Sequence, residues 1–163
     1  MLALTSEELI AWVEETSTRW HKLLFRHPEA LALPCDVMDT GTVAALLQHI
    51  VAVELRYAQR LCSLPPSDYA NIRMDSADAL YATHATAMAL LLGILNRTDD
   101  FWAERIELVT RSHGTLHASR RGVMVHMLMH SVRHYAQLAT LLRQHNIKPD
   151  WPMDYIFMDA TIA

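Results

Sequence analysis

The sequence predicts an all-α protein built as a four-helix bundle. Four long segments carry apolar residues at the helical period of 3.6. Only four glycines and six prolines occur among 163 residues, too few for the tight turns of a β-rich fold. The segments are filled with Ala, Leu, Met, Arg and Gln, which are good helix formers. Hydrophobic residues make up 52% of the chain and charged residues 20%, the composition of a domain with a packed core. Residues 1–163 read as a single domain.

The first helix is expected from about Ser6 to Phe25. Thr5 followed by Glu8 is a capping-box signal, and His27-Pro28 marks the end. Its stripe is Leu9, Trp12, Val13, Thr16, Trp20, Leu23 and Leu24. The second runs from about Thr42 to Leu61, with Leu46, Ile50, Val53, Tyr57 and Leu61 on one face. "SLPPSDYAN" then breaks it, since two prolines cannot continue a helix. The third spans about Ser76 to Asn96 with Asp75 as N-cap. The fourth spans about Arg120 to His145, capped by Ser119 and ended by Asn146 in a left-handed conformation. Between the third and fourth, "FWAERIEL" fits either a helical turn or an extended piece. The tail holds Trp151, Tyr155, Phe157 and Met158, so it is expected to pack back on the bundle rather than leave them in water.

The formal charge is −4, and Arg120-Arg121 is a pair rather than a basic patch, so no nucleic-acid partner is expected. Cys35 and Cys62 are the only cysteines and form no C-x-x-C motif. They read as reduced thiols of an intracellular protein. The N-terminus lacks a signal-peptide pattern, and "AMALLLGILN" is too short to span a bilayer. A cytoplasmic protein with no membrane partner is the expectation.

The chemistry lies in the ten histidines. In "VHMLMHSVRHYAQL", His126, His130 and His134 are spaced by four and project from one helical face. His130 and His134 stand on adjacent turns, within reach of one ion; neutral imidazole suits Zn, Ni or Fe. A bundle completes such a site from a facing helix. His49 sits on the flank of the second helix's stripe, at a core-facing position where an unpaired polar group is costly. A core histidine satisfied by a hydrogen bond is the alternative reading of His49. His126 lies about 12 Å along the axis from His134, too far for one ion to hold both. It reads as a core or supporting residue, or as a replacement for His134. His84 reads as a satisfied core histidine, His113 and His117 as loop residues, and His21, His27 and His145 as surface positions. Glu54 and Arg56 follow His49, and Arg133, Tyr135 and Gln137 surround His134, where they could help the chemistry. Gln137 shares the face of His134, but most such helix charges are simply solvated and none is assigned as a catalytic base. Met124, Met127 and Met129 read as packing rather than as ligands. A ferritin-like di-iron site needs Glu-x-x-His and covalent haem needs C-x-x-C-H; both motifs are absent from the sequence.

"LLQHIVAVELRYAQRL", "HMLMHSVRHYAQLATLLRQHNIKP" and the tail "DYIFM" resemble the DinB-like family of damage-inducible four-helix-bundle proteins, in order and spacing over nearly the whole chain. The resemblance implies an up-down-down-up bundle with a long crossover, often a homodimer. It also implies a three-histidine divalent metal site at one end of the bundle cavity. The matching positions are His49, His130 and His134. Some relatives are transferases or isomerases that use a low-molecular-weight thiol; many have no assigned reaction. Two functions follow. One is a metal-dependent enzyme, a thiol-dependent transferase or a hydrolase acting on a small-molecule substrate. The other is a non-catalytic stress-response protein in which the metal is structural. In either case affinity for the ion is expected to weaken below about pH 6, where protons compete for imidazole nitrogen.

Overall fold

The computed structural model describes residues 4–110, 114–158 and 160. Four long helices dominate: α1 (Ser6–Arg26), α2 (Val43–Leu61), α3 (Ala77–Leu92) and, after the short α4 (Asp99–Ala103), α5 (Arg120–Gln144). Two small antiparallel pairs accompany them. β1 (Pro34–Cys35) pairs with β2 (Gly41–Thr42) before α2, and β3 (Arg105–Thr110) pairs with β4 (Gly114–Ser119) before α5.

The helix ends follow from local chemistry. The Thr5 hydroxyl accepts from the Glu8 amide, and the Glu8 carboxylate accepts from the Thr5 amide at 2.7 Å, so the capping box is complete. Thr42 and Ser119 cap α2 and α5 through Ala45 N–H and Gly122 N–H. Asn146 follows α5 with φ 63°, as the sequence suggests.

Ser76, not Asp75, caps α3, by accepting from Ala79 N–H; Asp75 is occupied by Arg73. The helix also ends at Leu92 rather than near Asn96, with Gly93 as its C-cap. "FWAERIEL" is both alternatives in succession: Asp99–Ala103 closes as a helical turn capped by Thr98, and Arg105–Thr110 is a strand. His117 therefore lies on a strand rather than in a loop, while His113 lies outside the described residues. The tail folds back in part: Trp151 and Tyr155 are half-buried against α1, whereas Phe157 and Met158 stay exposed, contrary to expectation. Trp151 meets Trp20 edge-on with ring centroids 5.3 Å apart, and Tyr155 meets Trp12 in the same way at 5.3 Å.

α2 packs on α3 and α5, and α1 packs on the same two helices. The apolar interior falls into two clusters stacked along the bundle. One contains Trp20, Leu24, Ile50, Tyr81, Tyr135 and Leu138. The other contains Val13, Leu55, Met88, Val123, Met127 and Leu128. Between them every long helix contributes polar residues: Glu14 and Ser17 from α1, Glu54 from α2, His84 from α3, and His130, Ser131 and His134 from α5. This polar layer positions the candidate site. The chain from Cys62 to Ser76 runs back along α2 beside it. Gln59 donates to Ser67 Oγ, Tyr69 meets His49, and Gln48 donates to the Ile72 carbonyl.

Candidate metal centre

His130 and His134 project from successive turns of α5, and His49 faces them from the second turn of α2. His130 Nε2 lies 3.1 Å from His49 Nε2 and 3.1 Å from His134 Nε2. The three ligand atoms fall within 4.8 Å of one another, and among the described residues no other group of three or more His, Cys, Asp or Glu is so placed. His130 and His134 are buried; His49 is half-buried. The cluster adjoins the polar layer, at the second turn of α2 and the middle of α5.

The neighbouring groups decide which nitrogen faces inward. His134 Nδ1–H donates to Gln137 Oε1 at 2.6 Å, which leaves Nε2 as an acceptor. His49 Nδ1 lies 3.0 Å from the Tyr69 hydroxyl, so its Nε2 also turns to the cluster. A second group that fixes the tautomer and ring orientation of a ligand is usual at metal sites. His130 Nδ1 is buried without a hydrogen-bond partner. Arg133 Nη2 can donate to His134 Nε2 and a proton on His130 Nε2 can serve His49, but His130 Nδ1 then remains buried without a partner where the three imidazole nitrogens converge. Such an orphaned group calls for an explanation that a bound cation supplies. A divalent ion about 2.0–2.1 Å from each nitrogen sets neighbouring nitrogens roughly 3 Å apart. The donor set and its spacing therefore fit such an ion.

The electrostatics favour neutral ligands. Burial, reinforced by the charges of His134, His49, Arg133 and His126, pushes His130 down to about 2. Burial also lowers His134, against the hydrogen bond to Gln137, and lowers His126. Removing the Gln137 acceptor is expected to weaken metal binding about 10–100-fold. Calorimetric titration of Gln137→Ala with Zn²⁺ checks this, and unchanged affinity would show that Gln137 does not orient His134.

The other histidines are placed as follows. His126 is exposed rather than in the core; its ring lies 5.7 Å from that of His130 and 5.7 Å from Tyr57. It stands one turn beyond the cluster and does not replace His134 in it. His84 is a satisfied core histidine, but its partners were not evident from sequence. Nδ1 lies 2.7 Å from Glu54 and Nε2 lies 2.9 Å from Glu14. Glu54 is completely buried and accepts from Ser131 Oγ at 2.6 Å, so it is not a solvated helix charge. Burial draws His84 down, but the Glu54 charge and the hydrogen bonds to Glu14 and Glu54 outweigh it and push it up to about 10. An imidazolium thus ties α1, α2 and α3 together at the level of the metal ligands. Met124 and Met127 pack in the core as expected, while Met129 is 45% exposed. His21 and His27 are half-buried, and His145 is exposed.

A separate cleft of about 830 Å³ opens between α1, the start of α3 and the tail. His21 meets Asp78 and Arg26 meets Asp150 across it, Arg19 pairs with Glu15 along α1, and none of the three clustered histidines lines it. The convergent chemistry is at the α2–α5 seam instead. Among the described residues, no helix is long and apolar enough to cross a membrane.

No curated protein matches this sequence significantly. The family model of the DinB family matches residues 2–160, which takes in all four long helices, the histidine cluster and the tail. The chain belongs to the DinB family.

Proposed function

We propose that the protein binds one divalent transition ion through His49, His130 and His134 and presents it, with open coordination positions, to a small-molecule substrate or a low-molecular-weight thiol. The observation that carries this reading is the convergence of three Nε2 atoms backed by an orphaned buried nitrogen. Three protein ligands are the pattern of catalytic sites, whereas structural sites close the shell with four. When bound, the ion supplies a Lewis acid that acidifies a thiol or water, or polarises a carbonyl. The chain's own residues do the rest. Gln137 and Tyr69 hold the ligand rings in orientation, and the His84–Glu54–Ser131 layer fixes the helices that carry them. A thiol-dependent transferase or a hydrolase fits this arrangement.

The reading carries with it an up-down-down-up bundle. Side-chain contacts support that order. Glu54 meets His84 and Cys62 meets Leu90, so α2 and α3 run in the same direction. Glu14 meets His84 while His21 meets Asp78, so α1 opposes α3; His49 meets His130 while Leu61 meets Arg120, so α2 opposes α5. The returning 62–76 segment is the long crossover.

A structural role for the metal has its own support, because the ligands come from two helices and an ion would pin α2 to α5. Both roles predict stabilisation by metal, since an ion that binds the native state raises its stability. Burial holds His130 and His134 below the ordinary histidine value in the folded protein, whereas the unfolded chain takes up protons below about 6.5. Stability linked to the metal is therefore present above that value and lost as pH falls. Melting temperatures with Zn²⁺ and with chelator should differ at pH 7.5 and converge near pH 4.5. An increment of equal size at both pH values would contradict histidine ligation. The enzymatic reading is tested with Co²⁺-loaded protein. Addition of a low-molecular-weight thiol should produce a thiolate-to-cobalt charge-transfer band. A bound ion that gives no such band and exchanges no ligand would favour the structural role.

A further inference from the structure

Resting on the reading of an open metal centre, we infer that the α2–α5 seam beside it, walled by Tyr57 and His126, is a subsite for an aromatic group on the molecule that the ion binds. The two helices run antiparallel, so their residues meet in reverse order along the seam. His49 Nε2 lies 3.1 Å from His130 Nε2, and further along α2 the Tyr57 ring lies 5.7 Å from that of His126. The His126 ring in turn lies 5.7 Å from that of His130. The rings of His130, His126 and Tyr57 thus follow one another from the ligand cluster toward the N-terminal end of α5.

The other side of the cluster is occupied. Gln137 holds His134 Nδ1, and Tyr69 on the crossover meets His49 Nδ1. On the Tyr57 side the ring surface is within reach of a small molecule, since His126 is exposed and Tyr57 is half-buried. Met129 stands three residues after His126, on a neighbouring part of the helix surface, and is 45% exposed. A thioether is a favourable neighbour for the edge of an aromatic ring.

Aromatic rings pair offset-stacked or edge-on, and such a pair adds to what burial of the ring contributes. A ring laid against His126 and Tyr57 meets two partners at once. Neither residue is needed to hold the ion, because the ligand set is His49, His130 and His134. His126 stands four residues from His130, about 6 Å along the helix axis. That spacing is short enough for a phenyl group attached directly to a metal-binding head. An aliphatic body of the same length would meet the same surface without the ring pairing.

The test uses Co²⁺-loaded protein and two probes with the same metal-binding head, benzohydroxamate and acetohydroxamate. The visible spectrum of the ion reads the affinity of each. Wild type should favour benzohydroxamate. His126→Ala and Tyr57→Leu should each reduce that preference about three- to tenfold, the scale of one aromatic pair, and His126→Phe should retain it. All three variants should keep the Co²⁺ stoichiometry, and their affinity for acetohydroxamate should stay within about twofold of wild type. No preference in wild type, or the same preference in wild type, His126→Ala and Tyr57→Leu, would overturn the aromatic subsite with the open metal centre intact. Loss of the preference in His126→Phe would assign it to the imidazole nitrogens rather than to a ring surface, and would overturn the subsite as well. Failure of Co²⁺ to bind, or of acetohydroxamate to change the spectrum in wild type, would remove the metal reading and this inference with it.

Discussion

Glu54→Ala is expected to lower stability by about 3–5 kcal/mol, because it leaves a buried imidazolium without its main counter-charge. For a chain of this length that is a fall in melting temperature of roughly 10 °C. Glu54 is fully buried and holds both His84 and Ser131, so its loss uncouples α2 from α3 and α5 at once. Thermal unfolding followed by circular dichroism reads the effect. The pH dependence identifies the cause. His84 is raised in the folded protein to about 10 from its ordinary value of 6.5. Its contribution is fully present below about 6.5 and is lost as pH rises through 10. Wild type should therefore lose stability between those limits, and Glu54→Ala should lose much less over the same range. Parallel curves for the two proteins would show that the His84–Glu54 pair is not the source.

His130→Leu is expected to weaken metal affinity by more than about 100-fold, beyond the cost of losing an outer-shell partner. His130 is the middle ligand, within 3.1 Å of both others, so no pair of remaining nitrogens is equivalent to the full set. The metal-free variant should nevertheless melt at or above the wild-type temperature. The substitution removes a buried nitrogen that has no partner and fills its place with an apolar side chain of similar size. Loss of binding with retained or increased stability is the signature of a residue kept for function. Titration with Zn²⁺ and a melting curve in chelator measure the two effects. A metal-free variant that is several kcal/mol less stable would mean that His130 serves packing rather than ligation.

Much of this arrangement was legible in the sequence, and the parts that were not share a physical reason. The long helices announce themselves by periodicity and caps, as Thr5–Glu8 and Ser119 show. His130 and His134 are legible because helical geometry alone places residues four apart on one face. His49 is legible because a polar residue on the edge of an apolar stripe needs a partner. Glu54 was not, because glutamate in a helix is usually solvated, and its partners are distant in sequence: His84 on α3 and Ser131 on α5. The clue available was His84 itself, a titratable residue in the middle of an apolar stripe on a separate helix. Arg133 is visible in the sequence as a neighbour of His134, but its contact with that ring depends on how the two side chains turn, which spacing alone does not fix. The β3–β4 hairpin left a weaker trace. Ile106 and Leu108 alternate with Glu107, and Gly114 supplies a positive φ of 66° where β4 begins. Six residues of alternation are short enough to be read as a helical turn as well.

Crystals of Zn²⁺-loaded protein, with data collected on either side of the zinc absorption edge, test the central claim most directly. The account predicts one anomalous peak per chain, within about 2.0–2.2 Å of Nε2 of His49, His130 and His134, with solvent or a small molecule in the remaining coordination positions. A peak elsewhere, or an ion closed off by four protein ligands, would contradict it.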